Sequence, residues 1–264
     1  MNEDYRITVI MGIYNCADTL VEALESLESQ TYKKFKVVLC DDGSKDDTFA
    51  VANKWAETHP NYIVIKNEHN MKLAATLNHC LDYADTEYVA RMDGDDLSVP
   101  TRFEKEIDFL DSHPEYAMVS CPMIYFDEGG DYKTGVAIEK PQKEDFKYNT
   151  LFCHAPILMR RDALEKVGRY TAEPKTERIE DYYLWHKFYC NGFQGYNLQE
   201  PLYKMRNGRD AFARRKVSDR WRGYKLTTEV CRNLGFSMPW VYGLPALSKA
   251  LIPSFMVRFI NTFR

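Results

Sequence analysis

Through the first half of the chain, short apolar and β-branched runs alternate with longer amphipathic ones, the pattern of a parallel sheet with helical crossovers. Ile7 to Ile13 reads as a buried strand, and Leu20, Leu24 and Leu27 then fall on one helical face. Lys36 to Cys40 returns as a second buried strand, so a right-handed crossover is expected between them. The pattern continues with a helix near Thr48 to His59, a strand at Tyr62 to Lys66, a helix near Leu73 to Ala84 and a strand at Tyr88 to Met92. After a helix starting near Pro100, Ala117 to Phe126 predicts further strand, and Asp127 to Gly135 predicts a polar, glycine-containing loop. Periodicity is less regular from Lys140 to Glu177, and Ile179 to Tyr189 predicts a helix. No internal repeat is visible.

In open α/β sheets, ligands bind in the crevice beyond the carboxyl ends of the strands. Two acidic turns fall there: Asp41-Asp42-Gly43-Ser44 after the second strand, and Asp93-Gly94-Asp95-Asp96 after the strand at Tyr88. Three carboxylates at one strand end repel and raise each other's pKa unless water or a cation neutralises them. A hard divalent cation prefers oxygen ligands, and Mg2+ takes one or two carboxylates together with substrate phosphates. The bland alternative for both motifs is a turn shaped by Asp and Gly, with Asp46 or Asp47 capping the next helix. Tyr14, after the first strand, either stacks on a planar ligand or packs as an ordinary half-buried tyrosine. His154, in Cys153-His-Ala-Pro156, is either a structural histidine or a contact for a ligand or phosphate.

Composition narrows the class. The chain has 264 residues, is 45% hydrophobic and carries a net charge of −4, which fits a globular enzyme and gives no global reason to expect nucleic acid. Its seven cysteines form no CxxC pair and no Cys/His cluster of zinc spacing, so reduced thiols and a cytoplasmic setting are expected. The start is acidic and polar, and no apolar run reaches the roughly 18 residues of a membrane span. Beyond Tyr203 the chain becomes basic, through Lys204, Arg206, Arg209, Arg214, Arg215, Lys216, Arg220, Arg222 and Lys225. Phe255, Met256, Phe259, Ile260 and Phe263 would share one helical side, which either meets an anionic membrane surface or covers the domain. Arg206 and Arg209 alternatively close over a bound diphosphate.

Taken in order, Tyr14, the Asp41 turn, Asn70 to Asn78, the Asp93 cluster, Pro100 with Arg102, His154 to Tyr170 and the Glu180-Asp181 pair resemble the family 2 glycosyltransferases of GT-A type. The similarity runs from about Ile7 to Arg206. It implies a Rossmann-like, mostly parallel sheet flanked by helices, with a C-terminal helical extension. The implied organisation is a glycosyltransferase domain over 1–205, divided into a nucleotide-binding half (about 1–110) and an acceptor half (about 111–205), followed by a basic amphipathic tail over 206–264.

By the same resemblance, Tyr14 stacks on the nucleotide base and Asp42 bonds its edge, with Asp41 as the competitor. Asp93 and Asp95 serve ribose and metal, Asp95 as the direct ligand of Mn2+ or Mg2+, while Asp96 shapes the turn. Lys72 replaces the family's usual glycine and either meets the base or diphosphate or stays solvated. Asp181 is the implied general base, and Glu180 complements the helix dipole. The implied reaction is inverting transfer of a sugar from a nucleotide-sugar, a UDP-sugar foremost, to a saccharide or lipid-linked saccharide in surface polysaccharide assembly. The rivals are a metal-dependent nucleotidyltransferase, disfavoured because no Gly-rich phosphate loop follows the first strand, and a noncatalytic binder of the same fold.

Overall fold

The computed structural model describes residues 4–148, 150–206 and 217–251. Its first half runs β1 (Ile7–Ile13), α1 (Ala17–Glu28), β2 (Phe35–Asp41), α2 (Thr48–Ala56), β3 (Tyr62–Lys66), α3 (Leu73–Leu81), β4 (Tyr88–Arg91), β5 (Leu97–Ser98) and α4 (Arg102–Ser112). The second half runs β6 (Tyr116–Ser120), β7 (Met123–Asp127), β8 (Gly130–Thr134), β9 (Leu158–Arg160), α5 (Arg161–Lys166), α6 (Glu180–Cys190), β10 (Gln194–Asn197), β11 (Tyr203–Arg206), α7 (Val217–Asn233) and α8 (Pro239–Leu251).

Seven strands form the main sheet in the order β10-β6-β9-β4-β1-β2-β3. Its pairs are parallel except those that β9 makes with β4 and β6. β1 shows why the helices split between two faces. Ile7, Val9, Met11 and Ile13 join a core with Leu20, Leu24 and Leu27 of α1 and Phe103, Ile107 and Leu110 of α4. Ile10, on the opposite side of the pleat, joins Leu77 and Cys80 of α3, Leu164 of α5 and Leu184, Trp185 and Phe188 of α6. Each such buried leucine contributes about 1.5–3 kcal/mol relative to exposure. α7 joins this second core through Val230.

Three sequence expectations change. The run Ala117 to Phe126 is two strands, because Pro122 lacks the N–H that a continuous ladder needs, and β7 leaves for another sheet. The expected loop over Asp127 to Gly135 is a hairpin: β8 pairs antiparallel with β7, with Gly130 turning at φ +96°. With β5 and β11 these strands make a second, four-stranded sheet in the order β5-β11-β7-β8. The irregular span before Glu177 hides a 3-10 turn (Lys143–Lys147), β9 and α5, each too short for periodicity to register. Phe255, Met256, Phe259, Ile260 and Phe263, with Arg209, Arg214, Arg215 and Lys216, lie outside the described residues. Among the described residues no helix is long and apolar enough to cross a membrane.

The position of α6 matters most for chemistry, since its first turn carries Glu180 and Asp181. Besides the aromatic core it buries His186, which is 4% exposed, stacks obliquely near the Tyr183 ring and lies within the field of Glu229 on α7. Burial lowers the His186 pKa to about 4. The folded chain therefore holds this imidazole neutral, while the unfolded chain protonates it below about pH 6.5. Its contribution to stability is complete above pH 6.5 and is lost as pH falls toward 4. Urea titrations of the parent and of His186→Phe from pH 7 to pH 4 should diverge by on the order of 2–3 kcal/mol, the parent losing more. Parallel curves would contradict a neutral, buried His186.

Candidate active site

The site begins where β1 and β2 end side by side, Ile13 opposite Asp41. Tyr14 emerges there, 45% exposed. The next residue, Asn15, adopts φ +49° and ties the two turns together: its N–H donates to Ser44 Oγ (3.0 Å) and its Oδ1 accepts from the Lys45 N–H (2.8 Å). Asp41 is fully buried beneath the turn, facing the Ser44 N–H and Lys66 Nζ at 3.7 Å. Asp42 faces the other way. Its Oδ1 accepts from Asn67 Nδ2 (2.9 Å) and the Met71 N–H (2.7 Å), and its Oδ2 from the Lys72 N–H (3.0 Å).

These bonds draw residues 70–72 over the strand ends. Gly43, at φ +72°, leaves room for the crossing, because a Cβ there would lie 3.0 Å from the Asn70 backbone nitrogen. Lys72 then enters α3 at φ +73°, ψ 161°, a region that is essentially glycine's own and costs a side chain about 1–3 kcal/mol. The result is a cleft of about 960 Å³ with Tyr14, Asp42 and Lys72 along one side. Glu180, Arg178 of the preceding loop and Arg222 of α7 contribute to the rest of its lining. Arg178 pairs with Asp219, and Arg222 donates to the Glu177 carbonyl, so α7 is tied to the loop that leads into α6.

The Asp93 turn packs hard against the end of β1. A Cβ at Gly94 would come within 2.8 Å of Cys16 Sγ and 3.0 Å of Ile13 Cγ2, so any larger residue would have to push those side chains aside. Its three carboxylates differ. Asp93 pairs with Arg91 Nη2 at 2.5 Å and is held by its own N–H donating to the Tyr203 hydroxyl. Asp95 faces solvent, and partial desolvation with the neighbouring Asp93 charge raises its pKa. Asp96 is 2% exposed and accepts the Arg206 N–H at 2.7 Å. Burial, then Asp93 and Asp95, hold the Asp96 pKa well above the carboxylate range. Asp96 thus fastens β11 to the turn. Neither Asp93 nor Asp95 belongs to the lining of the 960 Å³ cleft, and among the described residues no group of three or more His, Cys, Asp or Glu side chains is poised to hold a metal.

Arg91 and Tyr170 connect this turn to α6. Arg91 is 4% exposed, and the adverse effect of its burial is outweighed by Asp93, then Tyr170, Tyr203 and Glu180. The Tyr170 pKa is raised by burial against the Arg91 charge, with Glu180, Asp181 and Asp93 adding to the rise. Asn78 fixes the Tyr170 backbone through two bonds, donating to its carbonyl and accepting its N–H. His154 Nε2 lies 2.8 Å from the Tyr170 hydroxyl, and burial followed by the Arg91 charge drives its pKa well below the usual value. Glu180 is raised by burial and by Asp181. Glu180 is on the cleft wall, whereas Asp181 acts on Tyr170 and Cys153.

The structure therefore gathers Tyr14, Asp42 and Lys72 around one cleft and couples Asp93, Glu180 and Asp181 electrostatically through Arg91 and Tyr170. The sequence reading passed over Arg91, Asn67 and Tyr170 as connecting residues. An arginine inside the apolar run Tyr88 to Met92 was the available signal for the first; Asn67 and Tyr170 carried none.

Comparison with known proteins places the chain in a family. The model of glycosyl transferase family 2 matches residues 8–168. EpsE of Bacillus subtilis strain 168, assigned as a glycosyltransferase, is 42% identical over 256 residues, spanning 96% of this chain and 92% of its own. The Escherichia coli UDP-Glc:alpha-D-GlcNAc-diphosphoundecaprenol beta-1,3-glucosyltransferase WfaP is 30% identical over 205 residues, 76% of this chain and 78% of WfaP. Among solved structures, TarS 1–349 of S. aureus in complex with UDP superposes with a TM-score of 0.69 at 20% identity, over 93% of this chain and 70% of that one. The α/β architecture is that of the GT-A fold, and the chain belongs to glycosyltransferase family 2 and is a glycosyltransferase.

Proposed function

We propose that the protein transfers one sugar from a UDP-sugar to a lipid-linked saccharide, with inversion at the anomeric carbon, in the assembly of a surface polysaccharide. The observation that carries this reading is the Asp42 carboxylate, turned into the cleft beside Tyr14 while it holds the backbone of Met71 and Lys72. A planar base stacked on Tyr14 would meet Asp42 at its edge, and Lys72 would stand toward the diphosphate. The donor and acceptor classes are supported by WfaP, whose name states a UDP-glucose donor and a diphosphoundecaprenol-linked acceptor.

Asp95, with Asp93 behind it, fits a divalent cation by the chemistry of its donors: two neighbouring carboxylates, one with a raised pKa, that would share Mn2+ or Mg2+ with donor phosphates. Bound there, the cation would supply charge neutralisation for a departing diphosphate. The protein's own steps are binding, positioning and proton removal. Asp181 takes the proton of the acceptor hydroxyl as its oxygen bonds to the anomeric carbon, while the bond from that carbon to the diphosphate oxygen breaks on the opposite face. Glu180, on the cleft wall, is the alternative base.

Two experiments test these assignments. Asp181→Asn should lower transfer by about 10²–10⁴-fold while leaving UDP binding within a factor of about two, and Glu180→Gln should cost far less. The reverse ranking would move the base to Glu180. Lys72→Gly should raise stability by about 1 kcal/mol through relief of its backbone strain, yet weaken UDP-sugar binding roughly tenfold. Tighter folding with unchanged donor affinity would make Lys72 a solvated helix-start residue.

A further inference from the structure

Arg206 ends β11, and its guanidinium is engaged by the acidic turn after β4. Nε donates to the Asp95 carbonyl at 2.9 Å, and Nη2 donates to the Glu22 carboxylate of α1. The β11–β7 register sets Arg206 opposite Phe126, and the guanidinium carbon lies 4.5 Å from the centre of that ring. The main-chain N–H of Arg206 bonds Asp96 separately, at 2.7 Å. These contacts correct the expectation that Arg206 closes over a bound diphosphate, since its two bonded guanidinium nitrogens point at the turn and at α1.

The same two elements hold every residue of the turn. β11 supplies the Tyr203 hydroxyl to the Asp93 N–H (3.1 Å) and Arg206 to Asp95 and Asp96. α1 supplies Thr19, whose Oγ1 donates to the Gly94 carbonyl at 3.1 Å, and Glu22 one turn further along the same face. The exposed Asp95 carboxylate therefore stands on a backbone fixed on both sides. Charge would oppose a bare arginine here, because an unpaired guanidinium behind Asp95 repels any divalent cation in front of it. Glu22 neutralises that charge while it holds the group in place. We propose that Arg206, held by Glu22, is a positioning residue for the divalent cation: it fixes the Asp95 peptide, and through it the direction of the Asp95 carboxylate. The inference rests on the proposed role of Asp95 as the direct ligand. Partners behind a metal ligand set its orientation, and removing one typically costs about 10–100-fold in metal affinity.

Calorimetric titration of UDP at a series of Mn2+ concentrations tests this in the full chain. Arg206→Gln removes the guanidinium and keeps the main-chain bond to Asp96. The Mn2+ concentration that gives half of the tightening of UDP binding should rise about tenfold or more in this variant, with metal-free UDP affinity within a factor of about two of the parent. Glu22→Ala should shift the Mn2+ requirement in the same direction by about threefold, and the double variant should shift it no further than Arg206→Gln does, because both residues act through one contact. If Arg206→Gln does not fold, Glu22→Ala alone decides. An Mn2+ requirement that is unchanged or lowered in either variant, or additive effects in the double variant, would overturn the inference. So would metal-free UDP affinity that falls as far as metal-bound affinity in Arg206→Gln, which would make Arg206 a direct diphosphate contact. A parent whose UDP binding is indifferent to Mn2+ would instead remove the proposed role of Asp95, and this inference with it.

Discussion

The cleft hangs on one carboxylate. Asp42 is 5% exposed and accepts N–H groups from Asn67, Met71 and Lys72, so a single side chain joins the end of β2 to the segment that opens α3. Bonds to a charged acceptor are each worth about 1.5–3 kcal/mol, which is enough to hold Lys72 in a backbone region that costs a side chain about 1–3 kcal/mol. Without that anchor, residues 70–72 have no reason to lie across the strand ends, and the cleft loses one wall. The same carboxylate that shapes the cleft also lines it.

The acidic turn after β4 works by balancing charge. Asp93, Asp95 and Asp96 would destabilise any turn in which all three were equivalent. Here each meets a different environment: Asp93 is neutralised by buried Arg91, Asp96 is buried with a raised pKa and fastens β11, and Asp95 is left toward solvent. Arg91 carries this arrangement inward to Tyr170, whose backbone is fixed by Asn78 of α3 and whose hydroxyl feels Glu180 and Asp181 at the start of α6. The electrostatic coupling thus reaches from the acidic turn to the proposed base through two residues that are themselves buried.

Much of this was legible in the chain because the signals were local. Alternating apolar runs identified β1 to β4 and α1 to α4, though not the two-residue β5, and turn chemistry marked both acidic clusters at strand ends. Asp96 was expected only to shape its turn, and the bond that the structure gives it runs instead to the Arg206 N–H of β11. What escaped reading depended on contacts between distant residues. Pro122 diverts β7 into a second sheet, a choice fixed by its later pairing with β11. The three donors to Asp42 lie 25 to 30 residues away, and nothing in their own identities announces the role. Which of Asp41 and Asp42 turns into the cleft is likewise a matter of register at the end of β2, visible only once that strand is paired.

The central claim is that the Asp42 and Asp95 turns serve one donor, recognised at its base by the first and at its diphosphate by the second. Calorimetric titration of UDP into the parent, Asp42→Asn and Asp95→Asn, each with and without Mn2+, tests it most directly. The account predicts that Mn2+ tightens UDP binding to the parent about tenfold or more, that Asp95→Asn abolishes this increment, and that Asp42→Asn weakens binding in both conditions while keeping the increment. An Mn2+ increment that survives in Asp95→Asn, or UDP affinity that is indifferent to Asp42→Asn, would contradict it.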